Sequence, residues 1–257
     1  MKRIWRNKPH IYPVGEERPD EQERSSRMQT LLQWTALPTA ACVLLLAVIS
    51  VLQIDLRGKQ SVAKPDMGYI LIDPGHGGFD GGAVAPDGTQ EKDINLSISL
   101  GLRDMLTILG YDVRMTRQED TALNQGGSSI REKKVEDMKK RLALYEQAAL
   151  VIGIHQNKFE IPKYNGTQIF YSPNKQESKL LADCIRTQVI SMLQPENSRE
   201  LKKAGDTVYL LNKTTVPAVF VECGFLSNPE ELERLKNEDY QKQMAFAVAC
   251  GYMEYAA

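Results

Sequence analysis

The sequence predicts an α/β protein: a single domain with a largely parallel central sheet flanked by helices, preceded by one transmembrane helix. Three observations predict it. An uncharged, mostly apolar run occupies residues 28–54. After residue 68, short apolar runs alternate with amphipathic stretches, and Gly, Pro and Asn punctuate the boundaries. Strands that alternate with helices pack as a largely parallel sheet covered on both faces, and sites in such sheets lie beyond the carboxyl ends of the strands.

Residues 1–27 contain Pro9, Pro13 and Pro19 among mixed charges and read as a disordered tail. Residues 28–54 are long enough to cross a bilayer, which takes about 20 apolar residues. A buried soluble helix of this length would show a polar face. A cleaved signal peptide would be shorter and followed by a small-residue cleavage site. A retained signal anchor fits better, with Trp34 at one membrane interface. Lys2, Arg3, Arg6, Lys8, Arg18, Arg24 and Arg27 precede the run, whereas Arg57, Lys59 and Lys64 follow it. That bias places the tail in the cytoplasm and everything beyond the anchor outside. Residues 55–67 read as a linker, and 68–257 as the folded domain.

Within that domain the elements follow in order. Tyr69 to Ile72 is a strand ending at the turn Asp73-Pro74-Gly75. A helix over 93–109 places Ile94, Ile98, Leu102, Leu106 and Leu109 on one face, and Gly110 stops it. Strands are expected at 111–115, 150–154, 167–171, 208–211 and 218–221, and helices at 135–148 and 180–193. Residues 118–129 form a polar, Gly-containing loop. Asn228-Pro229-Glu230-Glu231 is a helix start, with an Asn cap, Pro at the first position and acids in the first turn. A last amphipathic helix begins near Tyr240.

Composition removes several function classes. Apolar residues are 42% and charged residues 25%, so the chain is neither disordered as a whole nor polytopic. The 68–257 domain carries 22 Lys and Arg against 26 Asp and Glu, which excludes a nucleic-acid footprint. Its three cysteines, Cys184, Cys223 and Cys250, cannot all pair and lack structural-zinc spacing, so they read as small core residues.

The scarce histidines carry the chemical signal. The domain has two, His76 and His155, and each follows an apolar strand. One such histidine is ordinarily a hydrogen-bonded edge residue, but two at the same edge of one sheet form a candidate site. The Gly-rich surroundings of His76 permit a sharp turn and close approach. They match neither phosphate-loop pattern. Glu91 opens the first helix, where it either answers the helix dipole or serves as a ligand. Glu222 ends the strand Pro217–Val221, where an acid among Val and Phe is either ion-paired or a base with a shifted pKa. Two imidazoles and a carboxylate suit Zn²⁺ with an open position, so His76, Glu91 and His155 are the candidate ligands and Glu222 the candidate base. Cys223 offers a thiol, but no third histidine is available to activate it.

These segments jointly resemble a known family. Ile72-Asp73-Pro74-Gly75-His76-Gly77-Gly78, Glu91-Lys92-Asp93, Thr116-Arg117, Ile154-His155-Gln156-Asn157 and Val221-Glu222-Cys223-Gly224-Phe225-Leu226-Ser227-Asn228 are similar to the zinc N-acetylmuramoyl-L-alanine amidases of the amidase_3 type. The resemblance runs in order across nearly all of 68–257. It implies an α/β fold, Zn²⁺ held by His76, Glu91 and His155, Glu222 as the catalytic carboxylate, and Asn157 orienting the site through a His-x-Asn pattern. The implied substrate is peptidoglycan, cut between N-acetylmuramic acid and L-alanine.

One anchor, a bare catalytic domain and the Gln-Asn-Lys-Phe run after His155 look most like spore-cortex amidases. That implies action outside the cytoplasmic membrane, in the cell wall or the forespore intermembrane space. The partners expected are peptidoglycan and the membrane, through one N-terminal helix, with no nucleic acid; whether an accessory protein completes the zinc site stays open. The chain departs from the family's pattern at the insertion-like stretch up to Val135, at Glu146-Gln147 near where Ala-Asn is usual, and at Gly153 where Ser is common. The competing functions are a non-catalytic peptidoglycan-binding or regulatory module, and another zinc hydrolase such as a carboxypeptidase or deacetylase.

Overall fold

The computed structural model describes residues 68–124 and 126–257. The expected tail, anchor and linker lie outside the described residues. Among the described residues, no helix is long and apolar enough to cross a membrane. In chain order the elements are β1 (Ile70–Pro74), α1 (Glu91–Ile108), β2 (Val113–Met115), α2 (Ile130–Tyr145), β3 (Leu150–Asn157), β4 (Gln168–Tyr171), α3 (Gln176–Met192), β5 (Lys202–Lys203), α4 (Tyr209–Lys213), β6 (Ala218–Phe225), α5 (Pro229–Lys236) and α6 (Glu238–Tyr255).

The strands form one sheet in the order β2-β1-β3-β6-β4-β5. β2, β1, β3 and β6 are parallel neighbours, as expected. β4 runs antiparallel to β6, and β5 follows β4, so the sheet is mixed. The cause is the connection. Parallel neighbours need a crossover of a dozen or more residues, usually a helix. No helix separates β3 from β4, so the chain turns back and β4 pairs in the opposite sense.

Side chains alternate across the strands and make two cores. Ile70, Ile72, Ile152, Ile154, Val219 and Val221 face α1, α3 and α6, where Ile98, Leu102, Leu106, Leu181, Ile185, Met244 and Val248 meet them. Leu71, Val151, Ala218 and Phe220 face the other way, against Tyr145 of α2 and Leu210 and Leu211 of α4. Each fully buried aliphatic side chain is worth about 1.5–3 kcal/mol. α3 and α6 approach so closely that a Cβ on Gly251 would lie 2.4 Å from the Ile185 Cα. Backbone cannot step aside as a side-chain tip can. Gly251→Ala is therefore expected to cost about 1–3 kcal/mol, read as a lower denaturation midpoint; an unchanged midpoint would contradict this packing.

One element differs in kind from expectation, β5 is an addition, and several boundaries move, that of α2 furthest. The run Val208 to Leu211 is not a strand: Tyr209–Lys213 forms α4, which sinks Leu210 and Leu211 into the second core. A four-residue apolar run carries no periodicity that separates strand from buried helical turn. α2 starts at Ile130 rather than 135 because Ser129 caps it. The Ser129 hydroxyl accepts the Glu132 N–H at 3.2 Å, and the Glu132 carboxylate reaches back to the Ser128 N–H at 3.0 Å.

Candidate metal centre

The carboxyl ends of β1, β3 and β6 lie side by side, and they carry the site. Gly75 leaves β1 with its N–H donated to the Ile154 carbonyl at 3.0 Å, which ties the turn to β3. A Cβ on Gly75 would stand 2.2 Å from the His155 ring, so only glycine fits there. The next residue, His76, adopts φ 64°, a left-handed conformation rare outside glycine. Glu91 is the first residue of α1 and is buried. His155 on β3 lies directly opposite Glu222 on β6 in the strand register.

These placements bring three candidate ligands together. One ligating atom each from His76, Glu91 and His155 lies within 4.8 Å of the others. His76 Nε2 stands 3.3 Å from Glu91 Oε2, and His155 Nδ1 stands 3.2 Å from Glu91 Oε1. Other groups hold the three in place. Asp80 meets His76 Nδ1 at 2.9 Å and is itself paired with Lys134. The Glu91 carboxylate accepts the Ala83 N–H, the Gln156 N–H and the Asn95 amide at 2.8, 3.0 and 3.1 Å. The Gln156 amide donates to Asn95 Oδ1 at 3.1 Å, closing the ring of support. Partners of this kind fix the orientation of metal ligands.

One atom tests whether a metal fits. His155 Nε2 is buried and has no hydrogen-bond partner. An unsatisfied buried nitrogen is costly, and two imidazoles with one carboxylate are a donor set that Zn²⁺ takes. The residues present fit a metal ion.

The charges are arranged to match. Burial works against ionising Glu91, but hydrogen bonds to His155 and His76 outweigh it and hold the carboxyl far below its usual range. Burial would likewise depress His76, yet Asp80 and Glu91 raise it to about 9. A raised histidine pKa stabilises the metal-free fold fully below pH 6.5, and that contribution disappears as pH rises through about 9. A metal needs the neutral imidazole. Metal affinity is therefore expected to rise across the same window in which metal-free stability falls, measurable by chelator competition beside thermal denaturation. Affinity that is flat with pH would contradict the arrangement.

Glu222 faces the centre from β6. It lines a cavity of 410 Å³ with His76, His155, Phe79, Met138 and Tyr209. Among the described residues, no side-chain hydrogen bond or ion pair engages its carboxylate, so the salt-bridge alternative is absent. Burial pushes it up to about 7, opposed by His155 and reinforced by the Glu91 charge.

The family profile for N-acetylmuramoyl-L-alanine amidase, Amidase_3, matches residues 70–252. The chain belongs to the N-acetylmuramoyl-L-alanine amidase family. The germination-specific N-acetylmuramoyl-L-alanine amidase of Bacillus subtilis (strain 168) is 36% identical over 189 residues, covering 72% of this chain and 78% of that protein. The solved CwlD amidase from Clostridioides difficile, in complex with the GerS lipoprotein, is 40% identical at TM-score 0.71, covering 73% of this chain and 98% of that one. AmiC2 of Nostoc punctiforme is 29% identical at TM-score 0.62, covering 74% and 97%.

In this amidase, four of the five expected site residues share one cavity or cluster. Asn157 does not join them. It pairs with Phe225 across the sheet, and its side-chain oxygen accepts the Lys158 N–H at 2.9 Å. Asn95, Gln156 and Asp80 make the hydrogen bonds that reach the cluster, and none of them was among the residues expected from the sequence. Asn95 had a signal: it sits four residues after Glu91, on the same helix face. Phe220 was also missed, and its ring lies against His155 with centroids 4.5 Å apart. It needs Gly153, where a Cβ would come within 2.4 Å of the Phe220 ring. That gives a physical reason for glycine at this position. Cys223 is buried, and burial pushes its thiol well above the usual value, which disfavours the thiolate a nucleophile needs. Cys184 and Cys250 are free and half-buried.

Proposed function

We propose that this amidase is a zinc enzyme that hydrolyses the bond between N-acetylmuramic acid and the first L-alanine of the stem peptide, in maturation of the spore cortex. The observation that carries the reading is the pairing of an unpartnered His155 Nε2 beside His76 and Glu91 with an unpaired Glu222 across the same cavity. His76, Glu91 and His155 would hold the ion. Zinc bound there supplies Lewis acidity that brings the pKa of water toward about 7 and polarises a carbonyl. Glu222, unpaired and with a pKa near neutrality, takes the proton of the attacking water onto a carboxylate oxygen. It then gives that proton to the alanine nitrogen as the C–N bond breaks, and the water oxygen remains on the lactyl carboxyl. Phe79, Met138, Tyr209 and Phe220 give the cavity its apolar wall.

The cortex assignment rests on the germination-specific relative and the CwlD neighbour. The uncharged apolar run at residues 28–54, with the Lys and Arg that precede it, would anchor the domain outside the cytoplasmic membrane, and an accessory protein would have a counterpart in the GerS lipoprotein in complex with CwlD. The test is mass spectrometry of peptidoglycan digested by the full chain with Zn²⁺. Release of whole stem peptides is expected; loss of one terminal residue or of acetate would assign a different hydrolase, and no product would leave a binding module.

A further inference from the structure

α2 buries an unusual set of side chains. Asp137, Arg141 and Tyr145, spaced by four, form its buried face, where an amphipathic helix would place aliphatic residues. All three serve the turn that carries His76. Arg141 donates from Nη2 to the His76 carbonyl at 2.6 Å and from Nη1 to the Pro74 carbonyl at 3.0 Å and to Asp73. Its Nε donates to Asp137 at 2.8 Å, which fixes the guanidinium from the other side. Tyr145 donates its hydroxyl to Asp73, and Thr116 adds a second hydroxyl at 2.5 Å. Arg117 completes the set, giving one bond each to the Pro74 and Gly75 carbonyls at 3.0 Å. Two guanidiniums thus take the three successive carbonyls of residues 74, 75 and 76.

The reason lies in the backbone of His76. Its φ of 64° is one that a non-glycine residue leaves unless its surroundings hold it. A buried ion pair such as Arg141–Asp73 is weak evidence for stability by itself, because desolvation consumes most of the attraction. The bond to the His76 carbonyl gives this pair a positional task. It holds the turn in the conformation that brings the His76 ring to Glu91 and His155.

We propose that Arg141 is a positioning residue for the metal centre: by clamping the Pro74–His76 turn it sets zinc affinity. The proposal rests on the zinc reading above. The experiment measures the zinc dissociation constant of the full chain by competition with a chromophoric chelator, for the parent, Arg141→Gln, Arg141→Lys, Tyr145→Phe and Val189→Ala. Val189 is buried in α3, in the opposite core, and reports stability loss alone.

Arg141→Gln is expected to raise the dissociation constant about 10–100-fold. Arg141→Lys recovers part of that, because one ammonium cannot span both Asp73 and the His76 carbonyl. Tyr145→Phe gives a smaller rise in the same direction. At saturating zinc the KM of the Arg141 variants returns to the parental value. Val189→Ala keeps the parental dissociation constant at a matched loss of Tm. Parental zinc affinity in Arg141→Gln, or a loss no greater than that of Val189→Ala, overturns the proposal. If Arg141→Gln does not fold, parental affinity in both Arg141→Lys and Tyr145→Phe overturns it. A parent chain that binds no zinc overturns the zinc reading and this inference with it.

Discussion

Glu222→Gln should keep its zinc and lose turnover by about 10²–10⁴-fold, the usual worth of a general acid–base group. The substitution preserves the shape of a side chain that makes no hydrogen bond or ion pair among the described residues, so folding and metal content should be near parental. What it removes is a proton acceptor held at about 7 by burial. The measurement is kcat on purified glycan strands with metal content determined on the same samples. A variant that holds zinc and turns over at the parental rate would remove Glu222 from the mechanism. The pH profile adds a signed check. A base must be ionised to act, and a cation bound between His76, Glu91 and His155 favours the carboxylate form. The acidic limb of kcat/KM should therefore fall at or below about 7 and disappear in the glutamine variant.

Removing the metal should be at least as severe. Stripping zinc with a chelator, or deleting a ligand with His155→Ala, takes away several kcal/mol of transition-state stabilisation, which is about 10³-fold or more in rate. The two treatments should differ in one respect. Added zinc restores the stripped parent but not His155→Ala, because Glu91 and His76 alone leave two protein ligands where a catalytic zinc site takes three. Activity that survives chelation at parental level would contradict the assignment. Recovery of His155→Ala by stoichiometric zinc would show that His155 is no ligand.

The parts of this molecule readable from sequence are those where chemistry and geometry share one local signal. In the sequence His155 and Glu222 each follow an apolar run and His76 follows the turn after one, and parallel strands bring such positions to the same end of the sheet, so proximity followed from topology. Glu91 opens a helix whose Ile94, Ile98 and Leu102 face announce where it packs. The unreadable parts depend on distant partners. Arg141 lies in a Lys- and Glu-rich helix that reads as a solvated surface element, and its role appears only when Asp73, 68 residues earlier, stands beside it. The reversal of β4 follows from the missing crossover helix after β3, but its place beside β6 depends on a distant pairing that hydropathy does not encode. Gln156 belongs to no sequence pattern that marks it, whereas Asn157 does; the register shift between His155 and Asn157 lies where the Gln156 N–H turns to Glu91.

The central claim is that one zinc ion is held by His76, Glu91 and His155. Zinc X-ray absorption on the full chain, compared with His76→Ala, Glu91→Ala and His155→Ala, tests it most directly. The account predicts one zinc per chain in a shell of two imidazole nitrogens and carboxylate oxygen, with each substitution deleting its own donor or the ion itself. A parental spectrum with sulfur in the shell, or one unchanged by all three substitutions, would place the metal elsewhere.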